Sequence, residues 1–104
     1  MTIPARDADG FLLDWQAWSE ECARQLASED GIAMTPAHLE ILLMLRAYYA
    51  RHEHAPAMRA LVSVVRRELG ADKGRSVYLL GLFPGSPARL AAKFAGLPKP
   101  EHCL

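Results

Sequence analysis

Between Leu39 and Tyr49 the chain has only two charged side chains, Glu40 and Arg46. The rest of that run, Leu39, Ile41, Leu42, Leu43, Met44, Leu45, Ala47, Tyr48 and Tyr49, would cover most of a helix's circumference with apolar groups. A helix of that kind needs neighbours on several sides, so it is expected to be the central helix of the fold. Thr35-Pro36 supplies its start, a capping hydroxyl followed by proline at the first helical position, and the helix is expected to run to about Arg51. With 104 residues, 51% of them apolar, there is material for one compact domain with a single modest core.

The flanking segments read as further helices. From Trp15 to Glu29, Trp15, Trp18, Cys22 and Leu26 recur at helical spacing, and Gly31 is placed to end the helix. This puts Cys22 on the apolar stripe as a small buried hydrophobe. Pro56 opens a helix whose stripe is Met58, Leu61, Val62, Val65 and Leu69, with Gly70 as its stop. Ser76 to Phe83 make a short helix ended by Pro84 and Gly85, in which Ser76-Val77-Tyr78-Leu79-Leu80 looks mostly like packing. Ser86-Pro87 repeats the capping device and starts a last helix to about Ala95. Before the first helix, Asp9-Gly10 marks a turn and Phe11-Leu12-Leu13 is a strand or an extended clamp on the body. No internal repeat is visible, and nothing has the alternation of a large sheet.

The tail behaves differently. In Gly96-Leu97-Pro98-Lys99-Pro100-Glu101-His102-Cys103-Leu104 two prolines fix φ and remove two backbone donors, which favours an extended path. From Gly96 to Cys103 that path spans roughly 20 Å at about 3.1 Å per residue. The expected division is a helical domain over 1–95 and a flexible arm over 96–104 with a thiol near its tip. Such an arm suits exchange of sulfur inside another protein's site; an incidental cysteine in a chain terminus is the plainer alternative. The C-terminal carboxylate one residue away disfavours the Cys103 thiolate, whereas protonated His102 and Lys99 favour it.

Composition closes off several classes. No apolar run reaches the roughly 20 residues that span a bilayer, and Met1 to Gly10 lacks a secretory signal's apolar stretch, so a cytoplasmic protein with no membrane partner is expected. Cys22 and Cys103 make no disulfide framework; both are expected as thiols, and a bridge between them stays open. His52-x-His54 with His102 and Cys103 matches no standard zinc spacing, and no metal or cofactor is expected. There is no phosphate loop, nucleophile elbow or serine triad.

Net charge is zero, but residues 1–53 hold nine acids and four bases and residues 54–104 hold three acids and eight bases. The halves either pack by complementary charge or steer a partner. The basic half, with Arg59, Arg66, Arg67, Lys73, Arg75, Arg89 and Lys93 on short consecutive helices, also keeps a helix-turn-helix-like DNA-binding regulatory module open as an alternative.

Two motifs in the C-terminal half carry a resemblance: Lys73-Gly74-x-Ser76-x-Tyr78-Leu79-x-x-Leu82-Phe83-Pro84, and Ala95-Gly96-Leu97-Pro98-Lys99-Pro100-x-x-Cys103. Together they resemble the DsrC/TusE family of small sulfur carriers. Trp18-Ser19, Gly31-Ile32, Thr35-Pro36-x-His38, Tyr48-Tyr49 and Pro56-Ala57-x-Arg59-x-Leu61 follow in the family's order, so the likeness covers about residues 8–104. It implies a mainly α fold: a small orthogonal bundle of about five helices, a short or truncated N-terminal β-hairpin and an extended C-terminal arm.

The resemblance also implies that Cys103 carries sulfur as a persulfide. DsrC chains have a second arm cysteine eleven residues before the last; here that position is Ala92, and the one-cysteine pattern looks like the TusE branch. Such proteins take sulfur from a TusBCD-type complex and pass it to MnmA, which 2-thiolates the wobble uridine of certain tRNAs, so tRNA is an indirect partner. A carrier in another sulfur pathway is the nearer alternative. Arg59, Lys93, Lys99 and His102 are the candidate arm or partner contacts. No independent turnover of a small substrate is expected, and the free protein is expected to be a monomer.

Overall fold

The computed structural model describes residues 3–100 and contains five α-helices: α1 Glu20–Glu29, α2 Pro36–His52, α3 Met58–Leu69, α4 Ser76–Leu82 and α5 Pro87–Phe94. All five expected helices are present. The expected short hairpin is not confirmed. Among the described residues no strand forms, and the Asp7–Gly10 turn closes one isolated antiparallel bridge between Arg6 and Leu12. Asp7 organises the turn: its carboxylate accepts from the Asp9 and Phe11 amides at 2.9 and 3.0 Å. The ring of Phe11 is thereby delivered to the core, where it is wholly buried.

The central helix is α5, which corrects the expectation for α2. The short α5 packs against α1, α2, α3 and α4. Its buried face is Pro87, Ala88, Ala91, Ala92 and Phe94. Ala88, Ala91 and Ala92 permit this, because small side chains on the buried face let neighbouring helices approach the backbone closely, and Phe94 fills the core at its end. In α2 only His38, Ile41, Leu42 and Leu45 are buried, and Leu43 is 51% exposed. Apolar composition set the number of candidate faces, and the size of the side chains decided which helix could be enclosed.

Capping fixes the other boundaries. The single helix expected over Trp15–Glu29 is divided: Trp15–Ala17 form a 3₁₀ turn, Trp18 is extended, and Ser19 caps α1 by accepting from the Cys22 amide at 3.1 Å. Gly31, at φ 75°, ends α1 as expected, with Ile32 N donating to Ala27 O and Gly31 N to Ser28 O. Thr35 caps α2 with His38 as its capping-box partner. Pro56 does not begin α3; it is buried just before Met58, where Ala57 occupies the cap position without a side-chain bond. Ser86 stands at the α5 cap position, also without a side-chain bond, so its expected capping role is not seen.

His38 is the buried polar side chain of this core and stitches α2 to α4. Its Nε2 faces the Leu82 carbonyl at 2.7 Å, and a carbonyl only accepts, so Nε2 carries the hydrogen. Nδ1 then accepts from the Thr35 amide at 3.1 Å. The ring also meets Phe83 edge-on, with centroids 5.3 Å apart. Among the described residues no buried side-chain nitrogen or oxygen lacks a partner.

The loop before α4 is held by contact between backbones. Gly74 is buried against α3, where an added Cβ would run into the Cβ, Cα and N of Arg66, and its carbonyl accepts from Arg66 Nη2 at 3.1 Å. Gly74→Ala is therefore expected to destabilise the protein by about 1–3 kcal/mol through overpacking. Urea denaturation checks this, and a variant of unchanged midpoint would contradict the packing described.

Candidate functional site

The end of α5 is where the tail begins, and it is tied down at every carbonyl. A helix terminus leaves its last carbonyls without intrahelical donors, and burying them unpaired is costly. Leu97 N donates to Ala92 O at 3.0 Å and Gly96 N to Lys93 O at 3.1 Å, the paired bonds of a Schellman ending with Gly96 at φ 75°. The next two carbonyls are taken by side chains from distant elements. Trp18 Nε1 donates to Phe94 O at 2.8 Å, and Arg46 Nη1 donates to Ala95 O at 2.9 Å.

Trp18 and Arg46 also hold each other. The Arg46 guanidinium lies 4.4 Å from the Trp18 ring centroid and 5.0 Å from that of Trp15, and Trp15 in turn meets Tyr49 edge-on at 5.1 Å. Partial burial pulls the Arg46 guanidinium below its ordinary range. A cation at the C-terminal end of α5 also complements the helix dipole. Gly96 is pressed onto this platform: a Cβ there would come within 2.6 Å of Trp18 Cδ1.

The root of the segment expected as an arm over 96–104 is packed against the body. Gly96, Leu97 and Pro100 are buried, and Leu97 belongs to the core cluster. An apolar side chain placed directly after the Schellman glycine folds back onto the helix, so it anchors the segment that the prolines stiffen. Residues Glu101–Leu104, with Cys103 and His102, lie outside the described residues.

The lysines expected as guides are paired with the body. Lys93 Nζ meets Asp30 at 3.1 Å with its side chain only 15% exposed, and Lys99 Nζ meets Asp9 at 3.6 Å. Lys73 meets Glu40 at 2.7 Å. All three lysines of the basic half therefore pair with carboxylates of the acidic half, which supports complementary packing as the reason for the charge asymmetry. Arg59 is exposed on α3, beside a groove shared with Tyr48, His52, Ser63 and Arg67. Among the described residues, Arg59 shares none of the carboxylates that pair with Lys73, Lys93 and Lys99.

Val77 and Leu80 on α4, expected mostly to pack, are 66% and 42% exposed, while Leu79 is buried. His52 ends α2 and His54 follows it, both against the Tyr48 ring at 4.3 and 5.6 Å. Among the described residues no cluster of three or more His, Cys, Asp or Glu is placed to hold a metal, and no helix is long and apolar enough to cross a membrane. Trp18 and Arg46 anchor the end of α5, a pairing that sequence reasoning misses. The signal present was an arginine inside an otherwise apolar helix, which requires a buried acceptor or an aromatic face.

Cys22 is a free thiol, wholly enclosed in α1. Burial pushes it above its ordinary value, against smaller pulls from a Ser19 backbone hydrogen bond and the Arg6 and Arg46 cations. Ala92, the position of the second cysteine in DsrC chains, is likewise in the core.

A small α-helical domain whose fully capped last helix presents a proline-stiffened C-terminal segment is the class that this fold and site define. The family model described as "DsrC like protein" matches residues 2–104. A protein named "Sulfurtransferase TusE homolog" from Haemophilus influenzae is 48% identical over 94% of this chain and 90% of its own length. The "Sulfurtransferase TusE" of Pectobacterium atrosepticum is 46% identical over 96% and 92%. The solution structure of Allochromatium vinosum DsrC superposes with a TM-score of 0.86 at 42% identity, covering 94% of this chain and 88% of the other. The chain belongs to the DsrC-like family.

The two thiols are expected to separate cleanly in the native protein. Iodoacetamide should modify Cys103 while Cys22 reacts only as the protein unfolds, and peptide mapping along a urea series reads both. A buried thiol with a raised pKa contributes stability below the unfolded value, about pH 8.5, and loses it as pH climbs through the folded value. The stability advantage of the wild type over Cys22→Ala should therefore shrink above that pH.

Proposed function

We propose that the protein is a cytoplasmic sulfur-relay carrier in which Cys103 takes persulfide sulfur from a TusBCD-type donor and delivers it to an MnmA-type tRNA thiouridylase for wobble-uridine 2-thiolation. The observation that carries this reading is the family match through residue 104 combined with a single tail cysteine. With alanine at position 92 in α5, Cys103 lacks the second sulfur that position supplies in DsrC chains, which favours carriage over redox cycling. The relatives named TusE share this chain almost end to end.

The chemistry is thiol exchange. The Cys103 thiolate attacks the outer sulfur of a donor persulfide; the donor S–S bond breaks, and the electron pair leaves with the donor thiolate. Cys103 now holds the outer sulfur as a persulfide, with no net oxidation of the pair. An acceptor thiolate repeats the displacement and regenerates Cys103. The attacking form needs its proton removed; protonated His102 and Lys99 favour the thiolate and the C-terminal carboxylate opposes it, so reactivity is modest until an electropositive partner site receives the tip.

The body supplies the docking surface. Arg59 is exposed, and Lys99 can exchange Asp9 for a partner carboxylate because that pair is long and solvent-accessible. Lys93 supports the tail root from within through Asp30. The carrier acts as a monomer, with tRNA reached only through the acceptor enzyme.

Intact-mass measurement after incubation with a cysteine desulfurase, cysteine and the intermediate relay proteins tests the proposal. Wild type and Cys22→Ser should gain one sulfur, and Cys103→Ser should gain none. Uptake that survives Cys103→Ser, or salt-sensitive DNA binding with no uptake at all, overturns it.

A further inference from the structure

We infer that Arg46, seated on Trp18, is the positioning residue of the sulfur-bearing tail: it fixes the pivot from which Cys103 is presented. The inference rests on Cys103 being the carrier thiol. Its geometry stands independently of that reading.

Four observations converge on the residues just after α5. Arg46 and Trp18 donate to the consecutive carbonyls of Ala95 and Phe94 at 2.9 and 2.8 Å. Gly96 fits against Trp18 only because it has no Cβ. Leu97 is wholly enclosed and Pro100 is buried. Lys93 and Lys99 tie the same segment to Asp30 and Asp9 from the other end of the chain. The two side-chain donors come from the approach to α1 and from the middle of α2, so the tail root is registered against two elements at once.

Covalent geometry turns this into a limit on reach. With the root seated, Cys103 follows Pro100 by three positions, and at about 3.1–3.5 Å per residue covalent reach alone limits its Cα to roughly 10 Å from that of Pro100. Freed at Ala95, the same thiol could range over roughly 20 Å or more. A seated root therefore shortens the tether from which the sulfur is offered. That raises its effective concentration in a partner's site and reduces the ordering that transfer requires.

Arg46 suits this role better than a lysine would. Its planar group stacks on Trp18 while an in-plane N–H reaches the carbonyl, a combination that a single ammonium cannot supply. Arg46→Lys is accordingly expected to behave as a partial loss and not as a conservative change.

The test separates pivot from chemistry. A nitroxide on Cys103 and a second on Ser28→Cys, both in the full chain with Cys22 protected by burial, report the tail's distance distribution by pulsed electron resonance. Arg46→Gln should broaden that distribution markedly and Arg46→Lys to a lesser degree. In parallel, sulfur delivery from persulfidated carrier to the acceptor enzyme should fall about tenfold or more, while alkylation of Cys103 by iodoacetamide changes less than about twofold.

An unchanged distribution, or transfer and alkylation falling together, overturns the inference. If Arg46→Gln does not fold, Trp18→Phe, which removes the indole donor to Phe94 and shrinks the ring under Arg46 and Gly96, provides the same comparison. If wild type takes up no sulfur, the carrier reading fails, and the distance distributions alone still decide whether Arg46 sets the pivot.

Discussion

A helix end enclosed by protein has to find donors for its last carbonyls, and the rest of this structure is arranged around meeting that requirement for α5. Close approach by four neighbouring helices is eased by Ala88, Ala91 and Ala92 on the buried face of α5, and alanines offer no side-chain donor to its terminal carbonyls. Its terminus is therefore completed from outside, by Trp18 and Arg46, and from just beyond itself, by Gly96 and Leu97. Removing any of these donors would leave a polar group stranded where water does not replace it. The platform that satisfies the helix is also the seat of Gly96 and Leu97, so the end of α5 and the root of the tail share one set of bonds.

Charge follows the same logic. An acidic N-terminal half and a basic C-terminal half suggest a steering field when read as composition. In the folded chain the three lysines of the basic half are each matched with a carboxylate of the acidic half. Exposed pairs of this type add little stability individually. Their placement matters more, because two of them bracket the tail root against Asp9 and Asp30. The N-terminal turn builds no strand, yet it braces the tail, since Phe11 anchors it in the core and Asp9 meets Lys99.

Local signals are legible in the sequence wherever the cause is local. Thr35-Pro36, Gly31, Gly70 and the Pro84-Gly85 pair end or begin helices where their side chains or φ preferences require it. Legibility fails where a long-range contact decides. Trp15 to Glu29 has unbroken helical spacing, yet Trp18 is pulled into an extended conformation between a 3₁₀ turn and the Ser19 cap, and from there it donates to Phe94. Val77 and Leu80 have apolar chemistry, yet they lie on the face of α4 that the fold leaves exposed. Gly96 opens the segment expected as an arm, and only the fold shows that its lack of a Cβ lets it lie on the Trp18 indole.

The amino-acid order alone determined that the chain is a small helical domain, where most helices start and stop, and that a lone cysteine sits one residue from the C-terminus in a motif shared with sulfur carriers. These are properties of spacing, capping and covalent connection, which need no knowledge of what lies across the core. Tertiary structure alone decided which helix is enclosed, which cations are neutralised, and that the tail is held as far as Pro100. Each of those depends on side-chain volume and hydrogen-bond demand meeting across dozens of residues, and no local pattern encodes that meeting.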